Sequence, residues 1–379
     1  MTGPTGLSAR RTAPDLARGL MLVLIAVANA HLYLVDRPIG YRGYPAGLVG
    51  GDRVVAVVQV VLVDGRVYPL FAALVGYGLA RLADRAPEGV LRRRGVVLIG
   101  VGALHGVLLF PGDIIGAYGL VILLIAPVVA TGPAAGSSAG SSRGLLAAAG
   151  AIATFGGLLS TGQGTPQGVP TVPSIGAPTV GAFLAAHPGE WLTTTLFSAL
   201  LTAPAVLVGV VIARSGTLDE PEAHRRRLAV WAVGGLGASV VLGLPLALAV
   251  AGTWVPAGVL AGLAGAAHTA GGYAGALGLL GVMGLLASVS WPGRDLIAAA
   301  GTWSMTLYLS QSVVFVAVFA AVAGGLGSSA SLAAATLIGL ATWLAGVLVA
   351  GLLARAGHRG PAELLVRRLT YPRERSSRL

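Results

Sequence analysis

Ionisable side chains are scarce in this chain, and the few that interrupt its apolar stretches are the first candidates for chemistry. His105 lies near the end of one such stretch, with Asp113 just beyond it. A histidine can act as general base near neutral pH, and a carboxylate behind it can orient its ring. Asp64 and Arg66 break another apolar run. Asn29 and His31 end the first run, and His268 precedes a late one. Tyr308 and Gln311, at i and i+3, share one helix face. Because an ionisable group in hydrocarbon is costly, each is a functional candidate.

Each also has a plain structural role. His105 could be a buried ring satisfied by a backbone carbonyl. Asp113 could cap the helix that follows, a role compatible with a place in a site. Asp64 and Arg66 could pair as a salt bridge at the rim. Asn29 reads as an interhelical hydrogen bond. Tyr308, Gln311 and Ser312 could line a cavity or join two helices. His31 and His268 read as interfacial, and His187, His224 and His358 fall in loops with no evident part to play.

Other chemistries are excluded. All 25 basic residues are arginine, so a P-loop lysine and a Schiff base are ruled out. With no cysteine there is no disulfide, thiolate metal site or thiol nucleophile. The carboxylates are scattered, no helix carries a chelating pair, and no metal is expected. There is no nucleophile elbow, and GVGALHG at Gly100–Gly106 is not a dinucleotide fingerprint.

The elements that must hold these residues are read from composition. Of 379 residues, 55% are hydrophobic and 10% charged, with mean hydropathy +0.83. Soluble domains carry about 25% charged residues. Apolar blocks near the ~20 residues that cross a bilayer recur along the chain. The expected class is all-α: a polytopic integral membrane helix bundle of about ten transmembrane helices. The spans expected are Leu16–Val35, Val67–Ala80, Gly95–Phe110, Ile114–Ala130, Gly144–Ser160, Trp191–Ala213, Leu228–Ala251, Thr269–Ser290, Leu296–Val322 and Leu332–Leu353. Val54–Val63 and Trp254–Ala267 read as short segments leading into the spans that follow them. One transmembrane domain, 15–355, then lies between an N-terminal tail, 1–14, and a basic tail, 356–379. A Gly/Ser linker occupies 132–143 and an outer loop 161–189.

The formal net charge is +11. The arginines cluster in short segments between apolar blocks, which suits orientation and lipid headgroups and not nucleic acid. Only Arg37, Arg42, Arg53 and Arg66 fall on the opposite side from the rest. This bias predicts cytoplasmic termini, in a bacterial cytoplasmic membrane. Glycine is abundant, with 58 residues. Pairs such as Gly258/Gly262 and Gly271/Gly275 have the spacing of close helix contacts, although chance yields such pairs in a Gly-rich chain.

Three stretches resemble the YeiB-like family of bacterial membrane proteins, a domain of unknown function. They are GRVYPLFAALVGYGLAR at Gly65–Arg81, RRRGVVLIGVGALHGVLLFPGDIIGAYGL at Arg92–Leu120, and GTWSMTLYLSQS at Gly301–Ser312 with GPAELLVRRLTY at Gly360–Tyr371. The second stretch shares the family's Arg pair, Leu-His, Gly-Asp-Ile and Tyr118. The start Asp15-Leu-Ala-Arg-Gly19, with Asn29 beyond it, also fits, whereas Gly132–Trp254 carries no motif of the family. The resemblance implies a distant similarity to multi-span acyltransferases such as the lysosomal heparan glucosaminide acetyltransferase type. Those enzymes open with a similar Asp-x-x-Arg-Gly and rely on a histidine on the non-cytoplasmic side.

The function expected is acyl transfer from acyl-CoA to a hydroxyl or amine acceptor near the outer face. The acceptor would be a lipid, a sugar or another small molecule. His105 and Asp113 would be catalytic, and Asn29, Asp64, Arg66, Tyr118, Tyr308 and Gln311 would line the pocket. Arg66 or Tyr308 could stabilise the oxyanion. Arg92–Arg94 could meet CoA phosphates or simply set topology. No tightly bound cofactor is expected, and the bilayer itself is a partner. The alternative is a small-molecule or lipid transporter using the same polar residues. A third possibility is a structural partner of another membrane enzyme.

Overall fold

The computed structural model describes residues 12–87, 89–130 and 139–371. Residues 1–11 of the N-terminal tail, 131–138 of the Gly/Ser linker and 372–379 of the basic tail lie outside the described residues. Among the described residues the regular structure is helical, joined by loops, with isolated bridges linking Ile39 to Pro45 and Gly168.

Helix α1, Thr12–Ala30, ends in a short 3-10 turn at His31–Tyr33. Helices α2, Gly50–Leu62, and α3, Val67–Ala83, are joined by a tight turn at Gly65, whose φ is +78°. Only glycine adopts that backbone cheaply, and a Cβ there would press on the His268 ring. Next come α4, Val90–Leu108, α5, Ile115–Ala130, and α6, Ala139–Leu159. The long helices α7, Val180–Ser215, α8, Arg225–Val250, and α9, Gly258–Ala287, follow. Helices α10, Arg294–Thr302, and α11, Ser304–Phe319, meet at an angle of 83°. Helix α12, Leu332–Arg355, and the short amphipathic α13, Pro361–Thr370, complete the described helices.

Among the described residues, seven helices are long and apolar enough to cross a membrane, or eight if the bent α10–α11 pair is one span. The expected ten is not reached by this measure. Helix α4 opens with Arg92, Arg93 and Arg94, which leaves it a short apolar stretch. Helix α5 has 16 residues, fewer than the ~20 a bilayer requires, and contains Pro127. Two boundaries also differ from expectation. Helix α7 begins at Val180, so the end of the loop expected over 161–189 is helical, because Thr179 caps it by accepting from Ala182 N. The segment expected to lead into the eighth span is itself the start of α9.

The distribution of side chains is that of a membrane protein. Large apolar groups face outward, with Val233 77% and Leu352 65% exposed. Charged and polar groups such as Arg66, His105 and Asp113 are buried inside. Lipid cannot satisfy polar groups, so they turn into the bundle. Glycines set the helix spacing: a Cβ on Gly76 would strike the Val206 carbonyl, and one on Gly209 the Ala73 carbonyl, so α3 and α7 touch through backbone. Gly19 against Ile297 and Gly301 against Asp15 do the same for α1 and α10. Gly271 and Gly275 also prove to be contact residues, packed on Ser239 of α8.

Candidate functional site

The expected histidine–aspartate pair is formed. His105, one turn from the end of α4, places Nδ1 2.8 Å from Asp113 Oδ1. The other carboxylate oxygen accepts from Gly116 N at 2.7 Å, so Asp113 also caps α5. The carboxylate can only accept, so Nδ1 donates. The neutral ring is then unprotonated at Nε2, which accepts from the Ser312 hydroxyl at 2.8 Å. His105, Asp113 and Ser312 are 3%, 0% and 4% exposed. The space exists because residue 102 is glycine: a Cβ there would run into the Asp113 carboxylate and the Gly116 backbone.

Two cavities flank this relay. The larger, about 970 Å³, has Arg18, Arg94, Arg355, Arg359 and Arg367 in its wall at the arginine-rich end of the bundle. Leu22, Leu74, Leu98 and Ile122 line its deeper part. Of the Arg92–Arg94 cluster only Arg94 turns into it, while Arg92 and Arg93 are exposed. The smaller cavity, about 230 Å³, is lined by Asn29, His31, Arg42, Asp64, Tyr68 and Gln167 among others. Ile25, Phe71, Ile114, Tyr118 and Tyr308 belong to both walls. The cavities thus back onto one another across these five side chains. The Phe71 and Tyr118 rings pack at 4.9 Å between centroids, and the Tyr118 hydroxyl donates to the Tyr68 carbonyl at 3.2 Å.

Asp64 and Arg66 do not pair as a rim salt bridge, one of the two roles open to them from the sequence. The turn around Gly65 points them apart. Asp64 takes Arg42 instead, through Nε to Oδ2 at 3.0 Å and Nη2 to Oδ1 at 2.6 Å. Burial alone would lower Arg42, but the Asp64 carboxylate outweighs it and holds the guanidinium above its ordinary pKa, firmly charged. Arg66 is 1% exposed and turns into the bundle. It donates to Ser239 Oγ at 2.9 Å, to the Ser239 carbonyl at 2.9 Å and to the Asp64 carbonyl. It also lies 3.1 Å from His268 Nδ1. Those partners occupy Arg66, which lines neither cavity and cannot reach an oxyanion there.

Of the expected pocket residues, Asn29, Asp64, Tyr118 and Tyr308 come together around the smaller cavity. Gln311 does not join them. It donates from Nε2 to the Leu22 carbonyl at 3.2 Å and ties α11 to α1. His105 and Asp113 lie just behind the wall rather than in it. Asp113 sits between two wall residues, Gly112 and Ile114, and the His105 ring is 5.2 Å from Tyr308.

Three histidines differ from expectation. His31 and His268 are not interfacial: they are 2% and 1% exposed and flank the Arg42–Asp64 pair. His31 stacks on Tyr44 at 4.0 Å, and His268 Nε2 is 3.6 Å from Asp64 Oδ2. His187 is not in a loop but buried in α7, where Nδ1 meets the Val107 carbonyl at 3.0 Å. Sequence reasoning also passed over Arg42 as a site residue, although a signal existed. Arginines opposed to the positive bias need a reason, and all four are bonded within the protein. Arg37 reaches three carbonyls, at Val35, Gly327 and Ala330, Arg42 takes Asp64, Arg53 the Leu48 carbonyl, and Arg66 the Ser239 site.

Among the described residues, no group of three or more His, Asp or Glu side chains could hold a metal ion. No curated protein matches the chain. Residues 212–373, from the end of α7 through α13, match the family model described as protein of unknown function (DUF418), a match consistent with the YeiB-like resemblance.

Proposed function

We propose that this protein is a transmembrane acyltransferase that moves an acyl group from acyl-CoA to a hydroxyl or amine near the outer face. In this reading it sits in the bacterial cytoplasmic membrane with both termini in the cytoplasm. One observation carries the proposal: a large cavity with five arginines in its wall and a smaller one holding Asn29, Arg42 and Asp64 back onto the same five side chains. The phosphates of the donor meet Arg94, Arg355 and Arg359, and its acyl end runs along Leu22, Leu74 and Leu98. The acceptor occupies the smaller cavity beside Asn29, Asp64 and Gln167. Donor carbonyl and acceptor meet at Tyr118 and Tyr308. His105, held by Asp113, is the proton acceptor next to that wall.

The test is release of free CoA from acetyl-CoA and palmitoyl-CoA by the full chain in nanodiscs, across a panel of hydroxyl and amine acceptors. Acceptor-dependent release should fall about 10²- to 10⁴-fold in His105→Ala. It should require several-fold more donor in Arg94→Glu. Release no faster than from empty nanodiscs, with every donor and acceptor, overturns the proposal.

A second reading, transport of a small molecule or lipid, draws on the makeup of the shared wall. Its residues come from α1, α3, the α4–α5 turn, α5 and α11, so a shift between helices would open it. Solute movement across proteoliposomes without CoA release would favour that reading.

A further inference from the structure

The geometry points to Ser312 as a covalent acyl acceptor, so that the chain works by two transfers through a serine ester. This rests on the acyltransferase reading. Asp113 Oδ1, His105 Nδ1, His105 Nε2 and Ser312 Oγ form one line of hydrogen bonds, each 2.8 Å long. That is the order and reach of carboxylate, imidazole and hydroxyl in nucleophilic serine sites.

The serine is not in the state that its helix alone would give it. A serine within a helix commonly bonds back to a carbonyl three or four residues earlier. Ser310, two residues away, does so, at 2.8 Å from the Leu307 carbonyl. Ser312 instead reaches across to His105 of α4. A contact that merely joined α4 to α11 would need only the hydroxyl and one ring nitrogen. Here the second nitrogen is fixed as a donor by Asp113, whose remaining oxygen is held by Gly116 N. The tautomer that can take a serine proton is therefore imposed on the ring.

The relay lies close to where the two cavities meet. Tyr308 is one turn before Ser312 on the same face of α11, is in both cavity walls, and packs on the His105 ring. Ser312 itself lines neither cavity, so Tyr308 would have to rotate out of the wall to admit a thioester carbonyl from the larger cavity to it.

In the first transfer, Ser312 Oγ attacks the thioester carbonyl and its proton passes to His105 Nε2. The C–S bond then breaks, and the thiol leaves with that proton. In the second, the acceptor O–H or N–H attacks the serine ester and gives its proton to His105. The C–Oγ bond breaks and Oγ takes the proton back. Asp113 positions the ring throughout.

The experiment treats the full chain in nanodiscs with acetyl-CoA without acceptor, and separately with a fluorophosphonate, which serine nucleophiles displace at P–F. Peptides are then mapped by mass spectrometry. The expected result is an adduct on Ser312 with either probe. It should fall about tenfold or more in His105→Ala and in Asp113→Asn. Ser312→Cys, which preserves size, should form a thioester in place of the ester. Absence of an adduct on Ser312 with both probes overturns the inference. So does acceptor-dependent CoA release within about twofold of wild type in Ser312→Ala. The second result leaves the acyltransferase reading standing. A fluorophosphonate adduct on Ser312 without any CoA release has the opposite effect: it supports the nucleophile and removes the acyl-CoA reading.

Discussion

Arg42 and Asp64 form a two-pronged ion pair, at 3.0 and 2.6 Å, in the wall of the smaller cavity. Their side chains are 20% and 9% exposed, so little water shares the carboxylate. Removing one partner of a buried pair strands the other charge, at a cost of about 3–5 kcal/mol. Asp64→Asn should therefore lower the thermal unfolding temperature clearly, with tryptophan fluorescence in detergent as the readout. Asp64→Asn combined with Arg42→Gln should regain part of the loss, because no charge is then left unpaired. An unchanged unfolding temperature in Asp64→Asn would show that the pair does not hold that end of the bundle together.

Glu363 links α13 to the break between α10 and α11. Its Oε1 accepts from Met305 N at 2.7 Å and Thr306 N at 3.2 Å, and Oε2 from the Thr306 hydroxyl at 2.6 Å. It is thus a helix cap supplied from another helix, worth about 0.5–2 kcal/mol. Glu363→Ala should speed hydrogen exchange at Met305 and Thr306 by about 2- to 30-fold. Trypsin should then cut sooner at Arg367 and Arg368. Equal exchange in the variant would mean that α11 is capped by other means.

Tyr308 separates the two cavities, together with Ile25, Phe71, Ile114 and Tyr118. Tyr308→Ala removes the largest side chain that α11 adds to that wall. Proteoliposomes carrying it should leak a small fluorescent solute faster than wild type, while Tyr308→Phe should stay tight. A tight Tyr308→Ala would place the barrier on the remaining four residues.

The membrane bundle was legible in the sequence because it depends on sums. Scarce charge, long apolar blocks and clustered arginines decide the solvent of a helix without reference to its neighbours. The pairing of His105 with Asp113 was legible too. Only a tight turn separates the two residues, so the local chain fixes their distance. The partners of Asp64 and Arg66 were not. Their adjacency in sequence suggested a pair, but Gly65 in its left-handed conformation directs one to Arg42 and the other to α8 and α9.

By itself, the sequence determined that this chain is a helical membrane protein and that its few buried titratable groups require partners. Tertiary structure alone decided which partners those are. Ser312 of α11 comes to His105 of α4 by side chain alone, whereas Ser239 and His268 come to Arg66 where Gly272 and Gly275 let α9 close on the Gly65 turn and on α8. In an apolar medium each polar group must be satisfied within the bundle, and helix packing determines which group stands opposite which.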